Sequence, residues 1–202
     1  MKAIELKERL CRELVAQSGL EERREYLGMS SVGRCPREMY RRYVDGVADM
    51  SEQHHFRSWL GYLFQGGVER LFGEELVARE REIVAEFDER FRGHADLETA
   101  GGDLVEIKSV DWIGMEMVRQ RGPKRAHRAQ MQMYLRHGGY EKGFLVYVAR
   151  DVPWKKWKGL PVWVYEMRVD EKEGQRLDGK ARLVLAAVDA GSAPECVCGR
   201  CK

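Results

Sequence analysis

The stretch Gly93-His-Ala-Asp96-Leu-Glu-Thr-Ala-Gly-Gly-Asp-Leu-Val-Glu106-Ile-Lys108-Ser-Val110 decides how this chain is read. Two strand-like runs, 91–99 and 103–110, flank the turn-like Ala-Gly-Gly-Asp, which predicts a hairpin. Glu106 and Lys108 are two residues apart on a strand, so their side chains share a face, while Ile107 between them points into core. Pairing of the two strands brings Asp96 close to Glu106. Two carboxylates held together repel, and a hard divalent cation relieves this. Mg²⁺ or Mn²⁺ suits carboxylates completed by water and substrate phosphate. A lysine in the same cluster gains a role, orienting the nucleophile or stabilising transition-state charge while the metal acidifies a bound water. Taken alone, Glu-x-Lys is more often a solvent-facing ion pair. Its surroundings give it weight here.

Outward from this hairpin, strands are predicted over 78–87, 143–150 and 161–169, and helices over 2–27, 37–45, 53–72, 124–136 and 171–189. Residues 28–36 read as a loop whose Pro36 opens the next helix. A polar, glycine-containing stretch separates the hairpin from the helix at 124–136. The alternation predicts an α/β fold, a central mixed β-sheet flanked by helices. Three regions are expected within one compact unit. They are an N-terminal helical region over 1–75, a core over 76–170, and a C-terminal helix with a cysteine tail over 171–202.

The 202 residues carry 35 basic and 33 acidic side chains for a net charge of +2, so total charge does not mark a nucleic-acid binder. Distribution is more telling. Arg119, Arg121, Lys124, Arg125, His127 and Arg128 follow one another without an acidic residue, just ahead of a helix. No stretch approaches the roughly 18 apolar residues of a membrane span. The N-terminus lacks the apolar region of a secretory signal, so a cytoplasmic location without membrane contact is expected. Of five cysteines, Cys196, Cys198 and Cys201 fall within six residues, and with Cys35 they suggest a metal site. Cys11 stands apart and reads as a buried, inert thiol.

The order Gly-x-x-Asp96, turn, Glu106-Ile-Lys108 resembles the PD-(D/E)XK nucleases, and specifically their RecB-like exonuclease branch. In that branch a following helix carries Gln-x-x-x-Tyr, which Gln130 and Tyr134 match. An upstream helix carries Gly-x-x-x-His, which Gly61 and Gln65 match in spacing, with glutamine where the family has a metal-binding histidine. Gln65 itself, as a weak ligand, or Glu69, one turn on, could take its place, or the third protein ligand is missing. Ser31-Val-Gly-Arg-Cys35-Pro resembles the entry segment of members that bind a [4Fe–4S] cluster through one early and three late cysteines. These include CRISPR-associated exonucleases and AddB-type helicase–nucleases. The tail begins Cys-x-Cys, unlike the common pattern, and Zn²⁺ in a four-cysteine site is the rival.

The resemblance spans about Ser31 to Cys201. It implies a restriction-endonuclease-like core and a metal-dependent deoxyribonuclease acting on DNA, more an exonuclease on single strands than an endonuclease. Asp96, Glu106 and the carbonyl of Ile107 would hold Mg²⁺ or Mn²⁺, with Gln65 or Glu69 as the further ligand. Lys108 would assist attack, and Gln130 and Tyr134 would line the site. The cysteines Cys35, Cys196, Cys198 and Cys201 would hold the cluster. Arg119, Arg121, Lys124, Arg125 and Arg128 would contact DNA, and Lys155, Lys156 and Lys158 beside Trp154 and Trp157 read either as a further DNA contact or as an ordinary amphipathic hairpin tip. No Walker A motif occurs, so the chain is not itself a helicase. A helicase, recombination or CRISPR-adaptation partner fits the family, and some relatives form rings. Two other functions stay open: an endonuclease of the same superfamily, and a DNA-binding adaptor that keeps the fold without cleavage.

Overall fold

The computed structural model describes residues 25–46, 52–151 and 161–199, with residues 9, 12, 13, 153 and 201 besides. The helix expected over 2–27, and with it Cys11, lies almost entirely outside the described residues. Its last positions are not helical, because Leu27–Gly28 form a short strand, β1. Helices α1 (Pro36–Val44) and α2 (Glu52–Phe72) follow, then strands β2 (Leu76–Val84), β3 (Phe91–Thr99) and β4 (Leu104–Val110). Helices α3 (Trp112–Arg121) and α4 (Arg125–Gly138) lead to β5 (Lys142–Ala149), β6 (Val162–Arg168) and α5 (Glu171–Asp189).

Helix α3 is an addition to the sequence reading. Asp111 caps it, accepting from the Gly114 amide at 2.6 Å. Gly122 ends it at a φ of 81°. Its apolar residues are interrupted by polar ones, and the packing of Met115 and Val118 into the core fixes the helix together with its cap.

The sheet is mixed, in the order β1-β3-β4-β5-β6, with β2 also paired to β3. Antiparallel β2 follows β3 from Arg92 to Thr99, so it occupies one edge of that strand. The other edge is shared. β1 pairs in parallel with Phe91 and Arg92, and β4 pairs antiparallel with Leu97 and Glu98. Between them, Gly93 to Asp96 have no ladder partner on that edge among the described residues. β3 and β4 thus splay apart, and the opening is where Asp96, Glu106 and Lys108 lie.

β4 and β5 run parallel in continuous register from Leu104↔Gly143 to Val110↔Ala149, and β6 closes the sheet antiparallel to β5. β5 is buried on both faces, as its unbroken apolar run requires. One face packs Phe91, Leu104, Leu145 and Tyr147 against Met131 and Leu135 of α4 and Leu177, Ala181 and Val184 of α5. The other packs Leu97, Val105, Ile107, Val146 and Val148 against Phe64 and Val68 of α2. The outcome is the expected α/β sandwich with helices on both faces.

Polar contacts fix α4 and α5. The buried Gln132 donates to the Arg168 carbonyl at 2.7 Å and accepts from the Asp170 amide at 2.7 Å, tying α4 to the end of β6 and the N-cap of α5. Asp178 of α5 accepts from Arg136 Nε at 2.8 Å and lies 2.9 Å from His137 Nε2. No helix among the described residues is long and apolar enough to cross a membrane.

Candidate active site

Where β3 leaves β4, a side chain replaces the backbone ladder. Asp96 Oδ2 accepts from the Ile107 amide at 2.5 Å, which anchors the carboxylate over the opening. Glu106 projects from β4 toward α4 and is only 2% exposed. Its Oε1 accepts from Lys108 Nζ at 2.5 Å and from Gln130 Nε2 at 2.8 Å. Its Oε2 is buried and has no hydrogen-bond partner among the described residues. A carboxylate oxygen buried without a partner is costly. It asks for a cation or a proton.

The electrostatics agree with that need. Burial, with the neighbouring charge of Glu106 next, pushes the Asp96 carboxyl well above the usual carboxylate range. Lys108 works against this rise, and the charge of Glu80 adds to it. Burial disfavours the Lys108 ammonium, yet Glu106 and Asp96 together more than offset that and hold it above its ordinary value. Its carboxylate neighbours thus favour the protonated form of Lys108.

Gln130 and Tyr134 lie one turn apart on α4, the amide nitrogen 2.8 Å from the phenol oxygen. Tyr134 in turn donates to the His94 carbonyl at 2.8 Å, at the unpaired stretch of β3. The tyrosine ring passes so close to Gly93 that a Cβ there would lie 2.7 Å from Tyr134 Cε1 and 3.1 Å from Met29 Cβ. Glycine three residues before Asp96 is thus a packing requirement of Tyr134.

The two residues named as substitutes for the family histidine are differently engaged. Gln65 of α2 donates its amide nitrogen to Glu80 Oε1 at 2.8 Å, and Glu69 pairs with Arg79 at 3.5 Å. Glu80 was not singled out from sequence. It sits on β2 between the ladder pairs Arg79↔Leu97 and Arg81↔Ala95, alongside Asp96, with φ in the left-handed region at 49°. In Val-Ala-Arg-Glu-Arg-Glu it reads as one of several charges on a solvated strand face, so no sequence signal distinguishes it.

The basic run is spread over three elements. Arg119 and Arg121 lie in the last turn of α3, Lys124 precedes α4, and Arg125 and Arg128 are exposed in its first turns. Arg119 pairs with Glu116 at 2.9 Å, and its guanidinium stands 5.0 Å from the Trp163 ring centre. His127 turns inward, its Nδ1 2.9 Å from the Tyr147 hydroxyl. Residues 154–158, with their lysines and tryptophans, lie outside the described residues.

Beside the first turn of α4, where Gly33 packs on Ala126, the loop before α1 meets the cysteine tail. The sulfurs of Cys35, Cys196, Cys198 and Cys201 all lie within 4.8 Å of one another. Cys35 caps α1, with Pro36 in its first turn. Lys180 of α5 fixes the preceding loop, donating to the Val32 carbonyl at 2.7 Å and the Arg34 carbonyl at 3.1 Å. Backbone amides of Cys198 and Cys201 bring the Cys196 thiol down to about 6, so a thiolate is favoured there. Four gathered sulfurs with an available thiolate suit a thiophilic metal. The sulfurs stand 3.6 Å apart for Cys196–Cys198 and 3.3 Å for Cys198–Cys201. Sulfurs placed tetrahedrally around one zinc ion stand about 3.8 Å apart. Thiolates bound to separate iron corners of a cluster spread wider.

The sequence matches no protein-family model and no curated protein. The fold, however, is that of solved exonuclease structures. An alkaline exonuclease from Laribacter hongkongensis superposes with a TM-score of 0.66 at 16% identity, over 89% of this chain and 93% of that one. The same enzyme in complex with dAMP gives 0.64 at 16% identity, over 88% and 92%. A phage-related exonuclease from Haemophilus somnus gives 0.56 at 12% identity, over 89% and 92%. At these identities the likeness concerns architecture, and residue roles rest on the geometry above.

Proposed function

We propose that the chain is a divalent-metal-dependent deoxyribonuclease, acting as an exonuclease on single-stranded DNA. The observation that carries this is the buried Oε2 of Glu106, without a partner among the described residues, beside Asp96 and with Lys108 on the same strand face. Asp96, Glu106 and the Ile107 carbonyl would hold Mg²⁺ or Mn²⁺. When bound, such an ion acidifies a coordinated water and neutralises phosphate charge. Lys108, charged and held by Glu106, would donate to the attacking water or to the phosphoryl oxygen as charge develops there. Gln130 would keep Glu106 oriented, and Tyr134 would keep Gln130 in place. Arg121, Lys124, Arg125 and Arg128 would receive the DNA backbone. The exonuclease architecture of the structural neighbours supports the reading.

Linear single-stranded DNA labelled at one end, and a covalently closed single-stranded circle, are the test substrates. Metal-dependent loss of the linear strand with the circle intact is the expected result. Cutting of the circle would assign an endonuclease, and binding without cleavage an adaptor.

The four thiolates would hold a metal that ties the loop before α1 to the cysteine tail. The family resemblance implies [4Fe–4S], and the close sulfur spacing favours a single Zn²⁺. Iron, sulfide and zinc content of purified protein, with its visible absorption, separates the two.

A further inference from the structure

We propose that Glu80 is the third acidic ligand of the divalent-metal site, and that Gln65 is the positioning residue that holds it. This rests on the nuclease reading above. Three neighbouring strands carry the three carboxylates: Glu80 on β2, Asp96 on β3 and Glu106 on β4. Glu80 falls between the ladder pairs Arg79↔Leu97 and Arg81↔Ala95, alongside Asp96. Like charges close together on paired strands are unfavourable unless something neutralises them. Beside Asp96 is the second sign of a missing cation, the buried Glu106 Oε2 that no donor reaches among the described residues.

The neighbouring acids are otherwise committed. Glu69 pairs with Arg79 at 3.5 Å, Glu98 with Arg81 at 3.5 Å, and Glu82 with Arg92 at 3.2 Å. Glu80 has no ion pair among the described residues. Its contact is the 2.8 Å hydrogen bond from Gln65, which engages Oε1 and leaves the other oxygen to a cation. A ligating carboxylate is commonly held in this way by a neutral donor behind it. Glutamine at position 65 therefore acts through its nitrogen on Glu80, and the ligand has moved from helix α2 to strand β2. An oxygen-only set of three carboxylates suits Mn²⁺ or Mg²⁺.

Mn²⁺ binding to the full chain, followed by calorimetry and by the electron paramagnetic resonance of free Mn²⁺, tests this without reference to cleavage. Glu80→Gln is expected to weaken Mn²⁺ binding by about tenfold or more, and Gln65→Ala by a smaller factor. Glu80→Asp should keep part of the affinity, and Asp96→Asn should abolish the site. Wild-type affinity in Glu80→Gln, with binding lost in Asp96→Asn, would overturn the role of Glu80 and leave the nuclease site standing. Equal binding by wild type and Asp96→Asn would overturn the site itself, and Glu80 with it.

Discussion

Gln130 Nε2 lies 2.8 Å from Glu106 Oε1, joining the middle of α4 to the strand that carries Glu106 and Lys108. The same nitrogen meets Tyr134, and Tyr134 reaches the His94 carbonyl, so one chain of contacts spans the opening between β3 and β4. Gln130→Leu removes a hydrogen bond to a buried charged group, and such bonds contribute about 1.5–3 kcal/mol. Turnover should fall about 10–100-fold while circular dichroism is unchanged. Undiminished turnover would separate Gln130 from the orientation of Glu106.

Gly93→Ala would force a methyl group to within 2.7 Å of the Tyr134 ring. Overpacking of this kind costs about 1–3 kcal/mol. The urea midpoint should drop accordingly, and activity should fall further than in an equally destabilised variant remote from Tyr134. A midpoint equal to wild type would show that Tyr134 yields freely.

Burial and the charge of Glu106 disfavour the charged form of Asp96, which costs the metal-free protein stability. Asp96→Asn removes this charge and keeps an oxygen to accept from Ile107. We expect the thermal midpoint of metal-free protein to rise while cleavage is lost, the stability–activity opposition common at active sites. A lower midpoint would mean that the pair is not repulsive.

His127 gives a pH signature. Burial, then the charges of Lys108 and Lys124, push its imidazole down to about 3. It is neutral in the folded chain, whereas the unfolded chain takes up a proton near pH ~6.5. Below that pH the unfolded state binds more protons, so this contribution is complete above about 6.5 and is lost as pH falls toward 3. The stability difference between wild type and His127→Gln should be constant above neutrality and shrink by about 1 kcal/mol per pH unit once well below 6.5. Urea midpoints at a series of pH values measure it. A pH-independent difference would contradict a buried neutral histidine.

Much of this was legible in the sequence, for identifiable reasons. The hairpin of β3 and β4 follows from period-two alternation around Ala-Gly-Gly-Asp, and α4 from the spacing that puts Gln130 and Tyr134 on one face. Cys35 and the tail cysteines are far apart in sequence, and only the docking of α1 on α5 explains their meeting. The features that escaped depend on tertiary context. α3 has a weak pattern and is fixed by burial of Met115 and Val118. Glu80 is set apart from its charged neighbours by strand position and by its contact with Gln65 of α2. His127, within a basic run, reads as a surface charge, yet α4 turns it onto Tyr147.

The measurement that most directly tests the central claim is cleavage of end-labelled single-stranded DNA in Mn²⁺ by wild type, Glu106→Gln and Lys108→Met. The account predicts degradation by wild type and a loss of at least about a hundredfold in each variant, with folding and DNA affinity retained. Cleavage by Glu106→Gln and Lys108→Met at the wild-type rate would contradict it.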